Sequence, residues 1–377
     1  VGMNSAITPF EVRLPDAVLE DVRSRLAGTK WPEVPETADW KYGVPLDYVK
    51  RLRDAWLNDF DWRAKEAKLN ALPQFLTTID DQPIHFIHVR SAEPSATPLL
   101  LTHGWPMSVF EYLDLIGPLT DPVAHGGSAT DAYHVVLPSV PGIGFAGATT
   151  SEGWTTTRIA ETLLELMTRL GYERFGAHGN DLGSDVSIAL GRIAPHRVIG
   201  AHVTQVFSFP GGDPAEFHDL STEDQAAVEF LQGFTSGGGL AFNAYQSAQP
   251  QTLSFALQDS PTGWLAWTAQ LFRDEVPDDY VITNAATYWL TGTVASSVRR
   301  YFDDAHAEPT TPGPTTVPLG VAIFPNDFQS VRRFADRDHA NIQRWTRMDK
   351  GGHFAAQQAP DLLLKDLWQF FANLPRP

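Results

Sequence analysis

The sequence contains no cysteine, which excludes disulfides, thiolate metal sites and a catalytic thiol and leaves the redox compartment open. Positive charge is scarce. Lysine and arginine total 28 against 45 acidic residues, and the net charge of −17 argues against nucleic acid or an anionic membrane surface as a partner. Lysine is rarer still, 7 residues against 21 arginines. Long apolar runs are missing as well. The opening stretch, VGMNSAITPFEVRLP, has no segment long enough for a signal peptide or membrane anchor, and a cytoplasmic location is the expectation. Neither a repeat nor a low-complexity domain is present. What remains is a chain of 377 residues, 43% hydrophobic and 19% charged. That is the profile of a soluble globular protein with room for a large core and one or two accessory segments.

Residues 1 to about 75 read as mostly helical. Pro15 and Asp16 suit a first turn, and Val18, Leu19, Val22 and Leu26 form an apolar face that stops at Gly28. A tryptophan- and proline-rich meander covers 31–45. Two more helices follow, one carrying Val49, Leu52 and Trp56, the other Trp62, Leu69 and Leu72. This arm carries no evident chemistry and is expected to be a packing element. At residue 75 the pattern turns to strands: 75–79 and 84–89 flank a hairpin turn, and 99–102 and 135–137 are short apolar runs of the type buried in a parallel sheet. A Ser108/Glu111 capping box predicts a helix between those runs. An amphipathic helix at 156–170, a strand at 174–177 and another at 198–203 continue the alternation, which predicts an α/β fold, a mostly parallel sheet flanked by helices. From 208 to 305 the rhythm breaks into a glycine-, glutamine- and aromatic-rich stretch, predicted to be a helical lid over the strand ends. PTTPGPTTVP at 309–318 reads as a stiff return linker, after which strands at 319–324 and 343–348 and a helix at 360–372 close the chain. The expected division is an arm at 1–75, a first core part at 76–207, the lid at 208–305 and a second core part at 306–377.

Chemistry gathers in three loops that follow strands. The first is His178-Gly179-Asn180-Asp181-Leu182-Gly183, between the strand at 174–177 and a helix read over 183–194. Glycines two before and two after Asp181 permit a tight strand-to-helix elbow, and the helix N-terminus favours a carboxylate there. An aspartate in that place can act as a nucleophile that forms an ester with its substrate. Asp327 follows the strand at 319–324, and His353 follows the strand at 343–348 within Gly351-Gly352-His353-Phe354. Each residue alone has a bland reading as a turn or structural residue. Together they stand in the order nucleophile, acid, histidine, which is that of the α/β-hydrolases.

On these residues the chain resembles the microsomal-type epoxide hydrolases over nearly its whole length. ITPFEVRLPDAVLEDVRSRLAGTKWPE is similar to that family's N-terminal domain. His103-Gly104-Trp105-Pro106 matches its oxyanion loop, Pro141-Gly142-Ile143-Gly144-Phe145 its P-G-x-G-F loop and Gly179-Asn180-Asp181-Leu182-Gly183 its nucleophile elbow. Phe324-Pro325-Asn326-Asp327 matches the acid loop and Gly351-Gly352-His353-Phe354 the histidine loop. In the lid, Gln249-Pro250-Gln251-Thr252 and Asp259-Ser260-Pro261 are similar to family landmarks. The anchor of the animal microsomal members is not expected here. The resemblance implies that Asp181 attacks an epoxide carbon and that His353, oriented by Asp327, activates water against the ester. It implies an oxyanion hole at the backbone N–H groups of Leu182 and Trp105, with Phe242, Trp105 and Phe354 about the substrate. The expected partner is a small-molecule epoxide. No cofactor or metal is expected, since the scattered histidines lack ligand spacing, and a homodimer is compatible with this reading.

The chain also departs from the family pattern. Asn180 stands where the family commonly has glycine or serine, and Leu182 where an aromatic is frequent. The family holds the epoxide oxygen with two tyrosine hydroxyls. Ser296-Ser297-Val298-Arg299-Arg300-Tyr301 matches the second of these, but the first falls eight residues before Pro250, on Phe242. Tyr245, three residues on, is either a relocated donor or a core aromatic. Three rival functions remain open: a haloalkane dehalogenase, an epoxide-opening enzyme of secondary metabolism with altered acid chemistry, and a non-catalytic binding relative.

Overall fold

The short apolar runs assemble into one sheet. The computed structural model describes residues 5–309 and 313–377. Within them the strands are β1 (Thr8–Pro9), β2 (Gln74–Ile79), β3 (Gln82–Val89), β4 (Thr97–Thr102), β5 (Tyr133–Pro138), β6 (Phe175–Gly179), β7 (Val198–Val203), β8 (Leu319–Ile323) and β9 (Ile342–Arg347). They lie in the order β1-β2-β3-β5-β4-β6-β7-β8-β9. The β1/β2, β2/β3 and β3/β5 pairings are antiparallel and the remainder parallel. Strands β6, β7 and β8 are buried along their whole length, and apart from His178 in β6 and His202 in β7 they consist of small and apolar residues.

Helices α1 (Asp16–Ala27), α2 (Leu46–Asn58) and α3 (Trp62–Asn70) form the arm. Their apolar stripes bury Leu26, Leu52 and Leu69 completely, each worth roughly 1.5–3 kcal/mol of hydrophobic stabilisation. Asp61 caps α3 by accepting from the Ala64 N–H. The core helices are α4 (Leu113–Thr120), α5 (Thr156–Arg169) and α6 (Leu182–Ile193). The lid comprises α7 (Thr222–Ser236), α8 (Ala241–Ala248), α9 (Pro250–Leu257), α10 (Pro261–Phe272), α11 (Asp278–Leu290) and α12 (Val294–Ala305). Helices α13 (Arg332–Asp338), α14 (Ala355–Gln358) and α15 (Pro360–Ala372) complete the second part of the core. The arm braces the lid: Thr29 and Thr262 share a 2.6 Å hydrogen bond, Arg51 reaches Asp274 and Asp278, and Lys65 reaches Asp279. Such exposed ion pairs contribute little stability, so the apolar faces set the strength of the joint and the charges its register. Among the described residues no helix is long and apolar enough to cross a membrane.

Two expectations need correction or restriction. The Ser108/Glu111 capping box does not form. Ser108 caps a 3₁₀ turn (Val109–Glu111) at the Phe110 N–H, and the α-helix starts only at Leu113. The Glu111 carboxylate turns inward instead, to the Gly104 N–H at 3.1 Å and the Asn180 amide at 3.3 Å. The linker at 309–318 lies partly outside the described residues, which omit 310–312.

Candidate active site

Strand β6 ends at Gly179 and α6 begins at Leu182, leaving two residues to reverse the chain. Asp181 occupies the corner with φ 58° and ψ −121°, a conformation that L-residues rarely adopt and that the packing around it must hold in place. The corner is this tight because Gly183 has no side chain: a Cβ there would lie 1.9 Å from the Thr102 carbonyl oxygen. Gly183→Ala is therefore expected to cost on the order of 4 kcal/mol, through either a displaced elbow or a displaced β4. Chemical denaturation reads this directly, and a variant as stable as the parent would show that the elbow opens freely. Gly104 provides the second close approach. A Cβ on it would stand 2.6 Å from the Asp181 Cβ, and its absence lets the loop after β4 lay the Trp105 N–H on the carboxylate.

Asp181 Oδ2 accepts from that N–H at 3.0 Å, while Oδ1 faces His353 Nε2 at 3.7 Å. On its other side His353 Nδ1 is 2.7 Å from Asp327 Oδ1. Asp327 Oδ2 in turn accepts from the Gln205 amide at 2.7 Å. The three residues singled out in the sequence thus stand in line, carboxylate, imidazole, carboxylate. Burial works against a charge on His353, but Asp327, then Asp181 and Glu111, outweigh it and raise its pKa to about 9. The two carboxylates flanking the imidazole thus favour its protonated form in the free protein.

Gln205, just past β7, carried no signal in the sequence, yet it joins the elbow to the acid. Its Oε1 accepts from the Asp181 N–H at 2.7 Å and its Nε2 bonds both Asn180 Oδ1 and Asp327. Asn180 also reaches the His353 carbonyl at 3.0 Å, so the departure at this position ties the nucleophile elbow to the histidine loop. Glu111 lies beneath both loops, and burial pushes its carboxyl up to about 7.

A cavity of about 1030 Å³ opens between the sheet and the lid, bounded by Asp181, Leu182, Phe242 and Tyr301. Phe207, Phe209, Phe217, Phe234 and Phe328 give it an aromatic wall, and Asp185, Arg300 and Asp304 a polar one. Burial and then the neighbouring Asp304 and Asp181 push the Asp185 carboxyl up to about 7. The Tyr301 phenol is held well above its ordinary pKa, chiefly by burial and then by Asp181, with Arg300 opposing. Its ring meets Trp105 edge-on at 5.4 Å and Phe242 at 6.0 Å, while Phe242 stacks on Trp105 at 5.9 Å.

Several expected pocket residues stand elsewhere. Tyr245 is 43% exposed and does not line the cavity, because α8 presents Phe242, Asn243, Ala244 and Ser247 there. Three residues on a helix turn through about 300°, and here the shortfall carries the phenol outward. Phe354 is buried against Phe272 at 4.8 Å and supports His353 edge-on at 5.1 Å, behind the site. The Trp105 indole is also buried behind the lining, with Nε1 donating to Ser297 at 3.1 Å. Asp185 and Arg300 were missed, since helical pattern alone assigns neither to a cavity.

Two family models match the chain, "Epoxide hydrolase N terminus" over residues 7–112 and "alpha/beta hydrolase fold" over 97–264. A Stigmatella aurantiaca protein provisionally named an epoxide hydrolase is 41% identical, with 98% of this chain and 85% of that protein covered. Epoxide hydrolase 1 of Sus scrofa is 31% identical over 98% of this chain and 90% of its own length. The solved structure of Aspergillus niger epoxide hydrolase superposes with a TM-score of 0.86 at 26% identity, covering 99% of this chain and 98% of that one. With a carboxylate at the elbow, an arm of the epoxide hydrolase type and these relatives along almost its entire length, the chain belongs to the epoxide hydrolase family of the α/β-hydrolase fold.

Proposed function

We propose that this epoxide hydrolase opens apolar or aromatic epoxides to vicinal diols through an ester on Asp181. The observation that carries the mechanism is the divided environment of that carboxylate, with Oδ2 held by the Trp105 N–H and Oδ1 facing His353 Nε2 at 3.7 Å. Oδ1 attacks the epoxide carbon from behind the breaking C–O bond. Tyr301, on the lid side of the same cavity, donates its proton to the departing oxygen. The aromatic wall accepts the apolar body of the substrate.

Ester formation resets the base. It removes the Asp181 charge, one of the groups that keep His353 protonated, so the imidazole pKa falls and the ring can take a proton from water. Water then attacks the Asp181 carbonyl carbon, and the oxyanion collects at Oδ2 under the Trp105 and Leu182 N–H groups. Asp327 keeps Nδ1 protonated and Nε2 free for water, and Gln205 fixes the Asp327 carboxylate from the other side. A halide-stabilising role is disfavoured, because residue 182 is leucine and the Trp105 indole N–H is committed to Ser297.

The test is a single turnover of styrene oxide in heavy-oxygen water, with enzyme in excess. The label is expected in the Asp181 carboxylate and, after further turnovers, in the diol. Label in the diol alone after one turnover would mean direct attack by water and would end this mechanism.

A further inference from the structure

Helix α12 carries two functional side chains to the cavity, and the mechanism above uses only Tyr301. The other is Arg300, 8% exposed and the one lysine or arginine that lines the cavity among the described residues. Its guanidinium is anchored at one end. Nη1 donates to Asp304 Oδ2 at 2.5 Å, and Asp304 is fixed in turn by the Thr156 N–H at 2.6 Å and hydroxyl at 3.0 Å. The guanidinium carbon lies 4.6 Å from the centre of the Tyr301 ring. At the other end Nε is out of solvent and has no hydrogen-bond partner. Nε thus presents no surface to the cavity, and the guanidinium bears on the reaction through its charge and its place against the Tyr301 ring. Burial opposes the charge, yet Asp304, Tyr301, Asp181 and Asp185 outweigh it and raise the Arg300 pKa, so the side chain stays cationic. Phe242, across from Tyr301, offers no hydroxyl.

We propose that Arg300 is a positioning residue for the ring-opening step, whose fixed charge stabilises the Tyr301 phenolate formed as the epoxide oxygen takes the phenol proton. The inference rests on the Asp181 ester reading and adds to it. The Asp181 Oδ1–carbon bond forms as the carbon–oxygen bond of the epoxide breaks, and the electron pair passes to that oxygen. Tyr301 supplies the proton and becomes a phenolate, which the adjacent guanidinium stabilises without giving up a proton of its own. The proton released in ester hydrolysis restores the phenol, so the net reaction consumes one water per epoxide. Negative charge therefore travels from Asp181 to the leaving oxygen and on to the phenol along a path with Arg300 at its end.

The experiment resolves the two chemical steps by rapid quench and intact-protein mass spectrometry, in the parent, Arg300→Met, Arg300→Gln and Arg300→Lys. Styrene oxide and 4-nitrostyrene oxide are the probes. Arg300→Met is expected to slow alkylation of Asp181 by about 10²-fold, the effect typical of losing one preorganised charge that stabilises an oxyanion, and to leave ester hydrolysis almost unchanged. Arg300→Lys, which keeps the charge, should lose less. The deficit should shrink with the nitro substrate, whose alkoxide is less basic and needs less stabilisation. An alkylation rate equal to the parent's in Arg300→Met, or an equal loss in both steps, overturns the role. Should Arg300→Met fail to fold, Arg300→Gln, which can still bond Asp304, is judged by the same two rates. If the parent itself forms no Asp181 adduct, the ester mechanism and this inference fall together; an adduct formed at full speed without Arg300 removes only the arginine.

Discussion

His353→Gln is expected to halt the enzyme after its first chemical step, with the substrate still attached. The variant keeps Asp181, the Trp105 N–H and Tyr301, so alkylation proceeds, but no base remains to activate water against the ester. General-base assistance is typically worth about 10²–10⁴-fold, and the hydrolysis rate should fall by that much or more. Intact-mass measurement should show the protein plus one substrate, and Asp181→Ala should abolish that adduct. The pH dependence has a definite sign. In the free protein the His353 pKa is raised to about 9, so the base form would be scarce at neutral pH. Once the ester removes the Asp181 charge the pKa drops, and the rising limb of the hydrolysis step should lie below 9. A limb that stays near 9 in the alkylated enzyme would separate the imidazole from Asp181 and refute the gating. Rapid hydrolysis in His353→Gln would remove histidine from the water-activating role altogether.

Tyr301→Phe is the second large effect. The departing epoxide oxygen is a strong base, and withholding its proton should slow alkylation by about 10²–10⁴-fold, or roughly 3–5.5 kcal/mol of transition-state stabilisation. The ring contacts with Trp105 and Phe242 survive the change, so the thermal midpoint should barely move. Tyr245→Phe is the matched control. Its side chain lies outside the cavity, and alkylation should proceed at the parent rate. Parent-like alkylation in Tyr301→Phe would show that the proton comes from another group and that the lid chemistry has been misassigned.

The readable parts of this protein were those encoded by neighbours in the chain. An elbow needs glycines two residues either side of its centre, and a buried parallel strand needs a run made mostly of small or apolar residues. Both patterns are local, so Asp181, the strand before it and the helix after it could be located from residue order alone. Asp327 and His353 were legible for the same reason, each lying just beyond a recognisable strand. The Ser108/Glu111 box failed because the motif describes a competition and does not name the winner. The Gly104 N–H and the Asn180 amide, both distant from a capping position, held the Glu111 carboxylate more effectively.

Sequence by itself determined the fold class, the aspartate at the elbow, the order of the three site loops and membership in the family. Tertiary structure decided which side chains of the lid reach the chemistry. Rotation of α8 sent Tyr245 outward and Phe242 onto Trp105, and packing of α12 brought Arg300 and Tyr301 to the same cavity as Asp181. It also made Gln205 the link between elbow and acid, across 24 residues to Asp181 and 122 to Asp327. The physical reason is that periodicity defines a helix's faces but not the angle at which each meets its neighbours. That angle is set by long-range packing, and a turn of one residue, about 100°, is enough to exchange a catalytic side chain for a structural one.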